Sequence, residues 1–150
     1  MIRLSKKVEY GLIALRHLAL LPDGESATAR EIAEACSLPQ ELCAKSLSLL
    51  AREGLVTSIQ GTRGGYSLAR RPEAISVHDV IVAIEEKERT ITECLGGDGE
   101  CGCALNDNCV IREPLRQMQE DIARILSATT LAGIISHGSR PVMLVADRAR

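Results

Sequence analysis

The sequence is almost without aromatic side chains: its 150 residues include two tyrosines, no phenylalanine and no tryptophan. The core must therefore be aliphatic, which the hydrophobic content of 45% allows and which suits packed helices. No apolar run approaches the roughly 20 residues of a membrane span. Arg16 and His17 interrupt the apolar N-terminal stretch, and no small-residue cleavage site is evident, so we expect a cytoplasmic protein with no membrane partner.

The residue patterns of common enzyme classes are missing as well. The sequence offers no Ser/His/Asp arrangement, no paired carboxylates and no phosphate-binding glycine loop. Its three histidines, His17, His78 and His137, are scattered along the chain. We therefore expect a protein that is not an enzyme.

Charge is distributed unevenly, although the net charge is only −2. Residues 1–72 hold 10 Lys/Arg against 7 Asp/Glu, a net charge of +3, whereas residues 73–111 hold 2 against 9, a net charge of −7. A basic front half followed by an acidic middle predicts two different partners.

Hydrophobic periodicity predicts a mainly α-helical chain. An amphipathic helix is expected over residues 5–20, and Thr28 with Glu31 has the spacing of a capping box at the start of a second, short helix. After a break at Leu38-Pro39, a third helix runs until Gly54 stops it. Two short helices joined by a tight turn are typical of a helix-turn-helix.

A small β-hairpin follows at once. The stretches LVTSIQ and YSLAR read as strands around the glycine-rich tip GTRGG. A helix-turn-helix followed by a hairpin is a winged helix. Ser76 and Asp79 then cap a short helix, and the helical period returns in a long helix over residues 112–127 before the short helix TTLAGII.

This pattern divides the chain into four parts. We expect a winged helix-turn-helix domain at 1–88, a cysteine-rich loop at 89–110, a dimerisation helix with a short C-terminal helix at 111–136, and a flexible tail at 137–150.

The winged helix suggests binding to double-stranded DNA. A recognition helix reads base edges with exposed polar side chains near its N-terminus, and a wing needs glycines and a guanidinium close to the backbone phosphates. The candidate contacts are Thr28 and Arg30 on the second helix, Gln40, Glu41 and Lys45 on the third, and Arg63 and Gly64 at the wing tip. A protein-binding winged helix remains the alternative.

The six cysteines fall into two groups. Cys36 and Cys43 lie in helices, where we expect them to pack as small hydrophobic side chains. The other four lie in the stretch ECLGGDGECGCALNDNCV, at Cys94, Cys101, Cys103 and Cys109, where glycines and acids leave nowhere to bury a thiol. In a reducing compartment such a group is more typical of a metal site or of redox chemistry than of a disulfide framework.

The spacing of these four cysteines, C-x(6)-C-x-C-x(5)-C, favours an iron–sulfur cluster. It fits poorly to the two-ligand knuckles of structural zinc, whereas clusters accept longer spacings and gain from nearby backbone N–H groups. A zinc-stabilised site and a thiol–disulfide pair remain alternatives on the same fold.

The chain resembles the winged-helix iron–sulfur repressors that include IscR, NsrR and RirA. The resemblance covers about residues 2–135. It is carried by RLSKKVEYGL, TAREIAEACSLP, LAREGLVTSIQGTRGGYSLAR, ISVHDVIVAIE, TECL, CALNDNCVIREPL and TTLAGI. It implies a homodimeric regulator, joined through the helix over 112–127, that binds a roughly palindromic operator under the control of a cluster.

The resemblance also assigns ligands. Cys94, Cys103 and Cys109 match the three cysteines of the family, while Cys101 is surplus and could replace Cys103 or add a fourth thiolate. The position at which some members carry a histidine ligand holds Arg112 here.

Two further positions follow from the resemblance. Glu9 matches a carboxylate ligand that other members supply from the partner subunit, and on this basis we favour [2Fe–2S] over [4Fe–4S]. Lys45 matches a DNA-reading position. Gln60 stands where some members carry a wing arginine, which predicts a different operator preference.

Overall fold

The computed structural model describes residues 3–85, 90–95 and 108–137. It contains six helices and one antiparallel hairpin within these ranges. Their order is α1 (Lys6–Ala19), α2 (Ala29–Cys36), α3 (Gln40–Arg52), β1 (Val56–Ile59), β2 (Gly65–Leu68), α4 (Val77–Glu85), α5 (Arg112–Ala128) and α6 (Leu131–His137), with short 3₁₀ turns at Pro72–Ala74 and Glu93–Leu95. The predicted fold, mainly α with a hairpin wing, is confirmed.

Side-chain caps fix where the helix-turn-helix begins and turns. The predicted capping box is present: Thr28 accepts a hydrogen bond from the N–H of Glu31, and Glu31 accepts one from the N–H of Thr28. Helix α2 ends at Ser37, whose left-handed backbone (φ 56°) closes the turn. Because Pro39 stands immediately before α3, the chain enters the recognition helix in an extended conformation.

The hairpin pairs Val56 with Leu68 and Ile59 with Gly65. A third segment joins it, because Ala27 and Tyr66 exchange two backbone hydrogen bonds of 3.1 and 2.8 Å. The wing is therefore bonded to the residues that lead into α2. The sequence pattern does not predict this contact, since a single bridging alanine leaves no period-2 signal.

The core is aliphatic, as the lack of aromatics requires. Its largest fully buried side chains are Leu15, Ile32, Leu47, Leu50, Leu55, Ile75 and Leu131. The apolar periodicity of the sequence would place Ala35 of α2 and Leu42 of α3 on the buried faces, but α2 buries Ala33 while Ala35 is exposed, and α3 buries Cys43 while Leu42 is only half-buried. Alanine and leucine on neighbouring helix positions leave such a shift undetermined by period alone.

Helix α4 begins as predicted, because the Asp79 carboxylate accepts hydrogen bonds from the N–H and hydroxyl of Ser76 at 2.9 and 2.7 Å. Helix α5 has no buried residue, whereas α6 returns to the winged-helix body and buries Leu131 in its core. Within the described ranges, no helix is long and apolar enough to cross a membrane.

Candidate nucleic-acid interface and cysteine loop

Helix α3 has one buried face and one polar, exposed face. Cys43, Ser46, Leu47 and Leu50 are buried, and the Ser46 hydroxyl donates to the carbonyl of Lys7 at 3.0 Å. The predicted DNA-reading side chains Gln40, Glu41 and Lys45 are all exposed. The core contacts of α3 thus leave the predicted reading residues free to meet a major groove.

The predicted DNA contacts Thr28 and Arg30, unlike those on α3, form side-chain hydrogen bonds with neighbouring residues of α2. The Thr28 hydroxyl caps the helix and also donates to the Glu31 carboxylate at 2.9 Å. The hydrogen bonds that the Glu31 carboxylate accepts from the N–H and the hydroxyl of Thr28 hold the pKa of Glu31 below its usual value. The Arg30 Nε donates to Glu34 at 2.8 Å, although the Arg30 side chain is largely exposed. Thr28 therefore acts as a helix cap, and Arg30 is paired with Glu34 through its Nε.

The wing tip is constrained by its backbone. The N–H of Gly64 donates to the carbonyl of Gly61 at 3.0 Å, and a Cβ on Gly64 would lie 2.4 Å from the Ile59 oxygen. A Cβ on Gly65 would lie 2.7 Å from the backbone of Ala27. Only glycine fits these two positions, which is the physical reason for the Gly-Gly pair in GTRGG.

The same contacts position the predicted wing residues. Gln60 and Arg63 are both exposed. The Ser26 hydroxyl donates to the carbonyl of Arg63 at 3.4 Å, so the wing tip is tied to the chain two residues before Thr28. The start of α2 and the guanidinium-bearing tip thus lie on adjacent segments of one surface.

Two of the four loop cysteines lie within the described residues. Cys94 and Cys109 are free thiols and both are half-buried. The Thr92 hydroxyl lies 3.3 Å from the Cys94 sulfur. Cys101 and Cys103 lie outside the described residues. Among those that are described, no three His, Cys, Asp or Glu side chains are grouped closely enough to hold a metal ion.

Both described cysteines are connected to α5. Cys109 lies three residues before the first residue of α5, and its carbonyl accepts a hydrogen bond from the N–H of Arg112 at 3.3 Å. Ile91, three residues before Cys94, donates its N–H to the Gln119 side chain at 2.8 Å. The described segments at both ends of the cysteine loop are therefore hydrogen-bonded to α5.

Glu9 lies on α1 and forms an ion pair with Lys6, which raises the pKa of Lys6. Its side chain remains 38% exposed. Within the described part of one chain, Glu9, Cys94 and Cys109 do not form a three-residue group that could hold a metal ion.

The two helical cysteines behave as expected for packing residues. Cys43 is fully buried and Cys36 is half-buried at the edge of the core. Burial raises the pKa of both thiols, which disfavours the nucleophilic thiolate. Neither belongs to the cysteine loop.

Helix α5 presents a partly exposed apolar seam. Ile111, Leu115, Met118, Ile122 and Ile125 follow one another at alternating spacings of four and three, the pattern of a coiled-coil interface. Ile111, Met118 and Ile125 are 57%, 54% and 65% exposed. On the opposite side, Arg116 pairs with Glu113 and Glu120.

Sequence reasoning missed Ser26, Thr92 and Gln119, the side chains that position the wing and the cysteine segment. Ser26 and Gln119 each form a hydrogen bond to a distant segment, whereas Thr92 contacts Cys94 within its own segment. Thr92 stands two residues before a predicted ligand, which is a usable signal. Ser26 and Gln119 offer none, because their partners are 37 and 28 residues away.

Comparisons with known proteins agree with this architecture. The family model "Rrf2: Iron-dependent Transcriptional regulator" matches residues 4–137. The chain is 30% identical over 146 residues to the HTH-type transcriptional regulator NsrR of Geobacillus kaustophilus, which covers 97% of this chain and 98% of that protein. It is 31% identical over 146 residues to IscR of Yersinia enterocolitica, covering 97% and 85% of the two chains.

Solved structures show the same fold. IscR of T. potens superposes with a TM-score of 0.70 at 25% identity, covering 95% of this chain and 93% of that one. CymR, named as the global cysteine regulator of B. subtilis, gives 0.69 at 27% identity, covering 91% and 98%. These proteins are named as regulators, in agreement with the prediction that the chain is not an enzyme. The resemblance inferred from sequence is confirmed, and the chain belongs to the Rrf2 family of iron-dependent transcriptional regulators.

Proposed function

We propose that the chain is a homodimeric repressor whose operator binding is controlled by an iron–sulfur cluster, with [2Fe–2S] favoured over [4Fe–4S]. The observation that carries the proposal is the placement of two free, half-buried thiols, Cys94 and Cys109, at the two ends of the loop that joins the winged helix to α5. A group bound there would bridge the DNA-binding body and the exposed seam.

The donor chemistry fits a cluster. Cys94 and Cys109 would hold it together with Cys103, and Cys101 would replace Cys103 or add a thiolate. Soft thiolates select iron–sulfur clusters, zinc or copper(I). The Thr92 hydroxyl beside Cys94 is the kind of donor that stabilises charge on a ligating sulfur. When bound, the cluster would supply a reversible redox and ligand-exchange centre.

The dimer follows from α5. Three of the five apolar residues of its seam are exposed in one subunit, and a second α5 is the partner that such a self-complementary stripe fits. In this dimer Glu9 of the partner subunit would complete the ligand set after release from Lys6. Two winged helices would then meet the two halves of a palindromic operator.

DNA contact is assigned to residues of three elements, all of them exposed except the half-buried Thr28 and Gly64. Gln40, Glu41 and Lys45 of α3 would reach base edges, Gln60, Arg63 and Gly64 would approach the backbone from the wing, and Thr28 and Arg30 would face phosphate. A change of cluster state needs only about 1–3 kcal/mol of coupling to alter operator affinity by about five- to 150-fold.

The first test is the visible spectrum of protein purified without oxygen, with iron and sulfide counts and operator binding measured on the same sample. Brown protein with matched iron and sulfide, and an operator affinity that changes on cluster removal, is the expected result. Colourless protein that takes up no iron on anaerobic reconstitution would refute cluster control and leave the DNA-binding assignment standing.

A second candidate is a regulator that acts through thiols or zinc without iron. The observation in its favour is the similarity to CymR, whose structures include one from Staphylococcus aureus described as an oxidized form. The visible spectrum and iron analysis separate the two candidates, because the zinc and disulfide forms are colourless and contain no iron. Thiol titration before and after peroxide treatment then distinguishes zinc from a disulfide.

A further inference from the structure

The segment that carries Cys94 is fastened to α5 by a side chain outside every motif discussed so far. The N–H of Ile91 donates to Oε1 of Gln119 at 2.8 Å, and both residues are half-buried. We propose that Gln119 is a positioning residue that fixes the Cys94 segment to α5 and transmits a change in the cysteine loop to the dimer seam. The transmission step rests on the proposed function.

The segment fastened in this way is a bonded unit. The N–H of Leu95 donates to the carbonyl of Thr92 at 3.2 Å, and the hydroxyl of Thr90 donates to the same carbonyl at 2.8 Å. The Thr92 side chain in turn lies against the Cys94 sulfur. Because these bonds link residues 90–95 to one another, holding Ile91 also holds Cys94.

Through Gln119, α5 is linked to Cys94 as well as to Cys109. Cys109 is bonded to the first turn of α5 through the backbone, and the Ile91–Gln119 bond links the Cys94 segment to the middle of the same helix. Loss of that bond would loosen the Cys94 segment relative to Cys109. With the bond in place, a group bound between the two thiols would act on α5.

The position of Gln119 on the helix determines where the signal goes. It follows Met118 directly and lies one turn before Ile122, two residues of the exposed seam. A displacement of the Cys94 segment would therefore shift the surface of α5 beside the proposed dimer contact. Neighbouring Gln117 is bonded only along its own helix, to Asp121 at 3.4 Å on the exposed side, as far as the described contacts go.

This placement supplies a matched set of variants. Gln119→Leu keeps the side-chain size and removes the acceptor, whereas Gln119→Glu keeps an acceptor oxygen for the Ile91 N–H. Gln117→Leu makes the same chemical change two residues away on the exposed side. Thermal unfolding and the dimer dissociation constant are measured first, so that comparisons are made among variants that remain folded and dimeric.

The first readout needs no cluster. Hydrogen exchange at the Ile91 amide is measured by NMR on the full-length, iron-free, reduced dimer. Gln119→Leu should accelerate exchange by about 2- to 12-fold, the range set by the net free energy of one hydrogen bond. Gln119→Glu and Gln117→Leu should leave it near the wild-type rate. An unchanged rate in Gln119→Leu would overturn the anchor.

The second readout is the ratio of operator affinities with and without the cluster. In Gln119→Leu this ratio should fall towards one while the cluster spectrum is retained, and Gln119→Glu should restore it. Faster Ile91 exchange with a wild-type ratio would overturn transmission through Gln119. If wild-type protein takes up no cluster, the proposed function and the transmission step both fail, and amide exchange alone decides whether Gln119 holds the segment.

Discussion

At the scale of single residues, the start of α2 depends on the charge of Glu31. Its carboxylate accepts bonds from the N–H and hydroxyl of Thr28 at 2.7 and 2.9 Å, and these bonds lower its pKa. A carboxyl whose pKa is lower in the folded than in the unfolded state stabilises the fold above its unfolded pKa. That stabilisation is lost as pH falls through the lowered value.

We therefore predict that Glu31→Gln lowers the melting temperature at pH 7 and that the difference from wild type shrinks as the pH falls below about 4. Thermal unfolding between pH 7 and pH 3 measures it. Glu34→Gln is the control, because it removes only an exposed ion pair with Arg30 and should change stability little. A difference that stays constant with pH would assign Glu31 no role as a charged cap.

Arg63 gives the second prediction at this scale. Its guanidinium stands on an exposed tip whose backbone is fixed by Ser26 and the Gly-Gly pair, so it can approach phosphate at little cost in chain entropy. Arg63→Ala should weaken binding to all DNA sequences and reduce the slope of log affinity against log salt by about one per subunit.

Fluorescence anisotropy over a salt series measures this slope. Arg124→Ala serves as control because Arg124 pairs with Asp121 on α5 at 2.8 Å. An unchanged slope in Arg63→Ala would remove this residue from the interface.

At the scale of elements, the sequence was a good guide wherever the signal was local. The capping pairs Thr28–Glu31 and Ser76–Asp79 are visible as spacings because a cap involves residues three apart. The Ala27–Tyr66 and Ile91–Gln119 contacts were not predictable, since each joins distant segments through backbone or one amide. Of the candidate site, the residue types could be predicted but not the bonds that position them.

Helix α5 shows the same contrast. Its apolar period was evident from the sequence, but only the fold shows that the seam stays uncovered while α6 returns to the core. Met118, at the centre of the seam, is 54% exposed. Met118→Glu should weaken dimerisation by roughly 3 kcal/mol, or about 100-fold, because a C2 interface contains the substitution twice.

Analytical ultracentrifugation measures this dissociation, and Gln117→Glu on the exposed side is the control. Operator affinity should fall together with dimerisation in Met118→Glu. A variant that remains fully dimeric would show that the subunits meet elsewhere.

At the scale of the whole molecule, two surfaces must act together. The proposed DNA-binding surface is built by α2, α3 and the wing, whereas the segments of Cys94 and Cys109 are hydrogen-bonded to α5. The backbone bridge between Ser76 and Thr130 links the far end of α5 to the start of α4. A change at the loop can therefore reach the recognition helices along α5. The dimer adds a second route if Glu9 binds across the interface.

Glu9 and the cysteines can be tested across subunits with a mixed dimer. We predict that Glu9→Ala and Cys109→Ser homodimers each retain cluster poorly, whereas a heterodimer of one Glu9→Ala and one Cys109→Ser subunit retains about half of the wild-type iron. The reason is that a cluster on the intact cysteines of the first subunit would take Glu9 from the second. Two affinity tags isolate the heterodimer, and iron and sulfide are counted.

The count separates the two arrangements because they predict different numbers of complete sites. If Glu9 served its own subunit, neither half of the heterodimer would contain both Glu9 and Cys109, and iron would fall to the level of the homodimeric variants. If Glu9 were no ligand, Glu9→Ala homodimers would keep wild-type iron. In one chain Glu9 is bound to Lys6 and forms no three-residue metal-binding group with Cys94 and Cys109, so we expect half retention.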